Sequence, residues 1–200
     1  LGDYGVFAFY PNKQITVGEG GMIVTNDDRA AALMRSLRNQ GRSDGDTWLE
    51  HTWLGYNYRL DEMSAALGFT QMERLSELLA ARARVAASYQ EKLQDLKAIH
   101  LPQVGADCTD VSWFVYVVRL ADGLDRNQVA DALQAKGVPI RAYFSPIHLQ
   151  PYMLKAFGYQ RGDYPVTEWL GDQNMAIPFS GRMSEEQIDQ VCQALWDVLG

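Results

Sequence analysis

The chain has 200 residues and a formal net charge of −7, from 18 Lys and Arg against 25 Asp and Glu. With 47% hydrophobic and 22% charged residues it has a globular composition, and one or two domains are expected. The acidic balance argues against a nucleic-acid or anionic-membrane surface, because both need clustered Lys and Arg. Two distant cysteines and the lack of a long apolar segment indicate a reducing, cytoplasmic compartment, with no disulfide framework and no membrane span.

The beginning of the chain has no Met and enters a strand-like segment, residues 6–10, almost at once. A natural domain rarely starts inside a buried strand, so we expect the chain to be part of a longer protein. Pro11 ends this predicted buried strand. A glycine-rich turn at residues 18–21 then leads into a second predicted strand at residues 22–25.

A helix, a loop and a long helix are predicted next. Asn26 or Asp27 caps a helix that runs as far as a polar and aromatic loop over residues 41–58, and loops of that length are often functional. Asp61 then caps a helical pattern that exceeds the usual length of a globular helix. We therefore expect it either to bridge two domains or to bend near Gly68.

Strands and helices alternate after the long helix, which is typical of a small α/β domain. In chain order we predict a strand at 112–120, a helix after Asp125, strands at 139–144 and 176–178, and a final helix behind a capping box at 184–187. These patterns predict two domains. Residues 1–95 form the first and end in the long helix, residues 96–200 form the second, and the boundary lies within or after that helix.

Lys13 is the residue that most clearly suggests chemistry, because it follows a predicted buried strand and a proline and precedes the glycine-rich turn. We expect it to be held near the interior, where desolvation disfavours the ammonium form. A neutral amine can attack an aldehyde and form a Schiff base, and glycines let the backbone approach a ligand closely. From spacing alone, however, such a lysine is more often a solvated surface residue.

Four sequence blocks run in order over nearly the whole chain: residues 8–25 around Lys13, residues 55–72, residues 143–152 and residues 177–188. Together they resemble the DegT/DnrJ/StrS family of sugar aminotransferases, which depend on pyridoxal 5′-phosphate (PLP). The resemblance implies an α/β chain that is the C-terminal part of a fold-type I, aspartate aminotransferase-like enzyme. It would contain the end of the large PLP-binding domain and the small domain.

The resemblance also implies site residues. Lys13 matches the lysine that bonds PLP and then acts as a base. Asn57 matches an asparagine that reaches the cofactor phosphate of the neighbouring subunit, which implies a homodimer with a shared active site, and Arg59 would assist by its charge. Tyr143 and His148 lie where such enzymes contact substrate. Read without the family, Asn57 is equally a turn residue, Arg59 an exposed loop arginine, and His148 a packed or solvent-facing loop residue.

The implied reaction moves an amino group, from glutamate, to a keto group of a nucleotide-linked sugar. One alternative is a PLP-dependent sugar dehydratase, but relatives with that activity replace the lysine by histidine, so Lys13 argues against it. Another is a catalytically silent C-terminal fragment with a structural role. The histidines and cysteines lack metal-ligand spacing, so no metal site is predicted.

Two departures from the family pattern matter. Ala8 stands where family members commonly carry a serine that contacts the cofactor phosphate. The chain also lacks the half that, in the family, precedes the lysine block and holds the other cofactor-binding residues. We therefore expect this chain alone to bind PLP poorly and to turn over little.

Overall fold

The computed structural model describes residues 2–200, so Leu1, the first residue of the predicted first domain, lies outside the described residues. The chain divides into two compact units, one ending at Ser76 and the other spanning Glu77–Gly200. This division falls earlier than the predicted boundary at residue 95. The reason is that the C-terminal part of the long helix is buried in the core of the second unit.

The first unit contains a two-stranded antiparallel sheet and two helices. In chain order its elements are β1 (Tyr4–Ala8), β2 (Gly21–Thr25), α1 (Asp28–Arg38) and α2 (Glu62–Glu73). The carboxylates of Asp27 and Asp61 cap the two helices by accepting hydrogen bonds from Ala30 N and Ser64 N. Both strands, the first helix and both caps confirm the sequence predictions.

The predicted burial of the first strand is wrong for the described residues. The strand also lies slightly earlier than residues 6–10, and Val6 and Phe7 are 76% and 55% exposed. A run of apolar residues predicts a buried strand only if a second layer of structure covers the sheet. Within residues 2–200, these side chains of β1 have no such cover.

The long helix predicted after Asp61 is two helices, α2 and α3 (Leu75–Leu93), separated by Arg74. The prediction of a bend near Gly68 is wrong. Gly68 lies inside α2, where a Cβ atom would come within 2.9 Å of Val17 Cγ1. Close packing therefore explains this glycine.

The second unit is built on a four-stranded antiparallel sheet, whose strands lie in the order Ile99–His100, Tyr116–Leu120, Asn174–Ile177 and Arg141–Ala142. After α3 its elements are β3 (Ile99–His100), β4 (Tyr116–Leu120), α4 (Arg126–Ala135), β5 (Arg141–Ala142), a 3₁₀ turn (Ile147–Leu149), α5 (Pro151–Phe157), α6 (Pro165–Gln173), β6 (Asn174–Ile177) and α7 (Glu185–Leu199). The alternating strand and helix pattern is confirmed, although the strands predicted at 112–120 and 139–144 are shorter than expected.

The core of the second unit lies on one face of this sheet. Tyr116, Val118 and Leu120 alternate along β4, and each has no exposed surface. Residues of three helices join them in the core: Val85, Tyr89 and Leu93 of α3, Val129 and Leu133 of α4, and Ile188, Val191 and Leu195 of α7. The predicted capping box of α7 is present in both directions, between Ser184 and Gln187. None of the helices described in residues 2–200 is long and apolar enough to cross a membrane.

Candidate functional site

Lys13 lies in the loop that joins β1 to β2, and its side chain is half-buried. Its backbone N–H donates to Tyr10 O at 2.9 Å. Two further backbone hydrogen bonds close the base of the loop, from Phe9 N to Gly20 O at 2.8 Å and from Val17 N to Phe9 O at 3.0 Å. The backbone around Lys13 is thus fixed by its own hydrogen bonds and is not an open surface loop.

Gln71 of α2 holds this loop from outside. Thr16 N donates to Gln71 Oε1 at 3.1 Å, and Gln71 Nε2 donates to Thr16 O, so one side-chain amide satisfies both backbone groups of Thr16. Beside it Val17 is only 7% exposed and packs where Gly68 leaves room. The lysine loop is therefore attached to α2 by a contact between two residues, Thr16 and Gln71, that are 55 positions apart in the sequence.

The glycines of the turn serve the protein's own packing. A Cβ atom at Gly20 would lie 2.6 Å from Val17 Cγ2, and one at Gly21 would lie 3.0 Å from Phe7 O. Gly18 has φ of +85°, a conformation that L side chains rarely adopt. These glycines were predicted to let the backbone approach a ligand, and the groups that Gly20 and Gly21 approach in the structure are the Val17 side chain and the backbone of β1.

Asn57 and Arg59 are brought together by the structure. Arg59 Nε donates to Asn57 Oδ1 at 2.9 Å, and both side chains are exposed. Asn57 also forms an isolated antiparallel bridge with Asn39, which follows α1. This contact uses the amide oxygen of Asn57 and leaves its Nδ2 group without a hydrogen bond among the described residues.

The predicted long loop before Asn57 is closed by backbone contact between two glycines. Trp53 N donates to Gly41 O at 3.0 Å, and Tyr56 N donates to Leu37 O at 2.8 Å. A Cβ atom at Gly41 would overlap Trp53 O at 1.7 Å, and one at Gly55 would lie 2.2 Å from Gly41 N. The loop between these points carries three strongly exposed apolar side chains, Trp48 at 78%, Leu49 at 84% and Leu54 at 91%.

Tyr143 and His148 lie in the second unit, in the segment that follows β5. The ring of Tyr143 stacks on Phe144 with centroids 3.9 Å apart, and burial raises the pKa of its hydroxyl above the ordinary value. His148 is 7% exposed, with Nε2 2.9 Å from Glu168 Oε1. Its ring also meets Tyr164 edge-on at 4.7 Å. These contacts favour the packed-loop alternative for His148 over direct substrate contact.

Glu168 is an important residue that the sequence analysis missed. It is 5% exposed, and besides His148 its carboxylate accepts hydrogen bonds from Gly162 N at 2.9 Å and Tyr164 N at 3.3 Å. Burial alone would raise the pKa of Glu168, but these three hydrogen bonds outweigh it and the net pKa lies below the ordinary value. A glutamate inside a helix gives no local signal of a partner 20 residues away.

Replacing Gln71 tests the attachment of the lysine loop. Gln71→Ala leaves both backbone groups of Thr16 unpaired, so we expect the free energy of unfolding to fall by about 1–3 kcal/mol. Amide hydrogen exchange at Thr16 should become faster. Gln94→Ala is the matched control, because the Gln94 amide donates only to Glu91 O, one turn away. Unchanged exchange at Thr16 in Gln71→Ala would contradict the attachment.

Acid titration tests the role of Glu168. Because its folded pKa is depressed, the stabilisation it gives is present above its unfolded pKa and is lost as pH falls through the lower folded value. Between about pH 7 and about pH 3, the urea midpoint should fall more for the parent than for Glu168→Gln. Glu185→Gln, which removes one carboxylate from an exposed ion pair with Arg84, is the matched control for the substitution. Equal acid sensitivity of the parent and Glu168→Gln would rule out this role.

Comparison with known proteins identifies a family over nearly the whole chain. Residues 1–196 match the profile of the DegT/DnrJ/EryC1/StrS aminotransferase family. GDP-perosamine synthase of Caulobacter vibrioides is 41% identical over 206 aligned residues, which cover 100% of this chain and 53% of that protein. The chain thus spans about half the length of the curated relatives it matches.

Solved structures agree. An aminotransferase from Brucella abortus of the same family superposes with a TM-score of 0.85 at 30% identity, over 100% of this chain and 52% of that one. The E. coli GDP-4-keto-6-deoxy-D-mannose-3-dehydratase, solved with bound hydrated PLP, superposes with a TM-score of 0.85 at 23% identity, over 98% and 55% of the two chains, and at that identity shares the fold alone. The expected α/β fold, the C-terminal part of a fold-type I PLP enzyme, is confirmed. The chain belongs to the DegT/DnrJ/EryC1/StrS aminotransferase family.

Proposed function

We propose that the protein containing this chain is a PLP-dependent sugar aminotransferase, which moves an amino group from glutamate to a keto group of a nucleotide-linked sugar. The observation that carries the proposal is the position of Lys13, half-buried in a loop whose backbone is fixed on both sides. The name of the Caulobacter relative, GDP-perosamine synthase, supports a nucleotide-linked sugar. Two free cysteines support a cytoplasmic setting.

The residues present fit the cofactor. When bound, PLP supplies an aldehyde that condenses with an amine and a ring that withdraws electrons from the substrate carbon. Lys13 Nζ would be the amine that holds the cofactor, and the same atom would be the base that accepts the proton leaving the substrate carbon. The hydrogen-bonded loop limits the positions that Nζ can occupy. Less conformational entropy is therefore lost when Nζ meets the reacting atoms.

Asn57 and Arg59 supply donors for the cofactor phosphate. Because Arg59 Nε is occupied by Asn57 Oδ1, the remaining guanidinium N–H groups and Asn57 Nδ2 stay available to phosphate oxygens. Ala8 has no hydroxyl to offer, so phosphate binding depends more on these two residues.

A homodimer completes the site in this proposal, with Asn57 of one subunit donating to the phosphate bound by the other. Exposed apolar side chains on the loop that precedes Asn57 support a subunit contact there, since patches of this kind mark interaction surfaces. In the second unit, Tyr143 is the proposed substrate contact. His148 acts as a positioning residue for that segment through Glu168.

A sugar dehydratase is the second candidate, because the same fold occurs in the E. coli dehydratase. Lys13 disfavours it, because family members with that activity carry an imidazole at this position. A catalytically silent chain is the third reading, and retained PLP binding without turnover would distinguish it.

Lys13→Ala in the full-length protein should abolish amino transfer from glutamate and leave the melting temperature unchanged within a few degrees, because it removes the reacting amine and none of the backbone hydrogen bonds that fix the loop. Lys97→Ala, at an exposed lysine of the second unit, is the matched control and should retain full activity. A Lys13→Ala protein that still turns over would refute the proposal.

Asn57→Ala should raise the PLP dissociation constant about tenfold, which corresponds to the loss of one charge-assisted hydrogen bond. Equilibrium dialysis of the full-length protein measures this constant. Asn26→Ala, at an exposed asparagine of the same unit, should bind PLP as the parent does. An unchanged constant in Asn57→Ala would count against a contact with the phosphate.

A further inference from the structure

The segment that carries Tyr143, defined here as residues 143–148, lies between β5 and α5 and is irregular until it enters the 3₁₀ turn. Two of its apolar side chains, Phe144 and Ile147, are 66% and 67% exposed. These side chains therefore do little to hold the segment in place. The position of Tyr143 depends on the other contacts that the segment makes.

Both ends of the Tyr143 segment are bonded to one short stretch of chain, formed by α6 and the first residue of β6. At one end Tyr143 N donates to Asn174 O at 3.4 Å. At the other end His148 Nε2 lies 2.9 Å from Glu168 Oε1. Glu168 is in α6 and Asn174 is the C-cap of the same helix, so a single helix supplies both partners.

Gly171 lies between these two contacts and touches the middle of the Tyr143 segment. It is buried, and a Cβ atom there would lie 2.9 Å from Phe144 O and 2.9 Å from Pro146 Cδ. A backbone oxygen and a proline ring cannot rotate out of the way, and protein interiors have little free space to absorb such an overlap. The segment can therefore approach α6 this closely only because residue 171 has no side chain.

The three contacts are made from one row of α6. Glu168, Gly171 and Asn174 follow one another at intervals of three residues, which places neighbouring members on the same face of a helix. A carboxylate, a missing side chain and a backbone carbonyl each meet a different part of the Tyr143 segment. This face of α6 thus fits the segment along its length.

The helix that holds the Tyr143 segment is itself fixed to its neighbours. Arg126, the first residue of α4, donates from Nη1 to Gly171 O. On the side of β4, the guanidinium carbon of Arg119 lies 4.7 Å from the centre of the Trp169 ring. An atom added at position 171 should therefore displace the segment and not α6.

We propose that Gly171 is a positioning residue, which sets the place of Tyr143 by letting the segment lie against the Glu168, Gly171 and Asn174 face of α6. The functional consequence, a correctly placed substrate contact, rests on the proposed function. The attachment of the segment to α6 does not.

Amide hydrogen exchange of the full-length protein tests the attachment without any measurement of activity. Gly171→Ala should raise the exchange rate about tenfold in peptides that cover residues 143–150, because the displaced segment opens more often. Gly181→Ala is the matched control, since its Cβ would meet Ala81 Cβ at 3.2 Å and thus crowds α3 in the same unit. It should leave exchange in these peptides unchanged. Equal exchange in Gly171→Ala and the parent would overturn the proposal.

A gentler variant keeps the attachment testable if Gly171→Ala does not fold. Arg126→Met leaves the glycine in place and removes the hydrogen bond that ties Gly171 O to α4. Exchange in residues 143–150 should then rise by a smaller factor, about threefold. No rise in this variant would contradict the claim that a fixed α6 holds the segment.

Reaction of the full-length, PLP-loaded protein with glutamate tests the functional part. Gly171→Ala should raise the glutamate concentration for half-maximal rate about tenfold, with the limiting rate and the PLP dissociation constant each within about twofold of the parent. Gly181→Ala should leave all three unchanged. An unchanged glutamate requirement in Gly171→Ala would refute the positioning role.

A double variant shows whether the effect of Gly171 passes through Tyr143. In a Tyr143→Ala background, Gly171→Ala should add less than about twofold to the glutamate requirement. An effect of the same size in both backgrounds would sink the role through Tyr143. A parent that does not react with glutamate at all would count against the aminotransferase proposal, and hydrogen exchange would still decide the attachment.

Discussion

The pairing between the amide of Gln71 and the backbone of Thr16 is the interaction on which the candidate site depends. It joins the loop that carries Lys13 to α2, across 55 residues of sequence. Val17 packs beside it, in the space left by Gly68 and Gly20. Without this attachment the lysine would lie on the connection between two exposed strands, and only the hydrogen bonds within that connection would hold it. With it, the amine stands on a backbone that has little freedom to move.

In the second unit a helix side chain also holds an irregular segment, with a carboxylate in place of an amide. There a buried carboxylate, Glu168, receives donors from His148 and two backbone groups and so fixes the segment that follows β5. Tyr143 lies in that segment. Each unit thus presents a candidate site residue on irregular backbone and holds that backbone with a polar side chain from a helix. Nearly all of the polar groups in these two contacts have hydrogen-bond partners, which keeps the free-energy cost of burying them low.

Local sequence signals predicted the elements well and predicted their surroundings poorly. The caps Asp27 and Asp61 and the capping box at 184–187 act within one helical turn, so their patterns are readable without tertiary information. The exposure of β1 and the reason for Gly68 depend on what packs against them, which no local pattern records. The family resemblance placed His148 where substrate is contacted, and its buried contact with Glu168, 20 residues away, has no local sequence signal. Lys13 was singled out by its position before the glycine-rich turn, but the roles predicted for Lys13 and Asn57 came from four family blocks in order.

Mapping of the lysine that PLP modifies tests the central claim most directly. Lys13 is the only lysine before residue 92; the other four lie in the second unit, and Lys92 and Lys136 are ion-paired with Asp189 and Asp197. The full-length protein would be incubated with PLP, reduced with borohydride, digested and analysed by mass spectrometry. The account predicts label on Lys13 and little elsewhere. Label spread over the lysines of the second unit, with Lys13 unmodified, would contradict it.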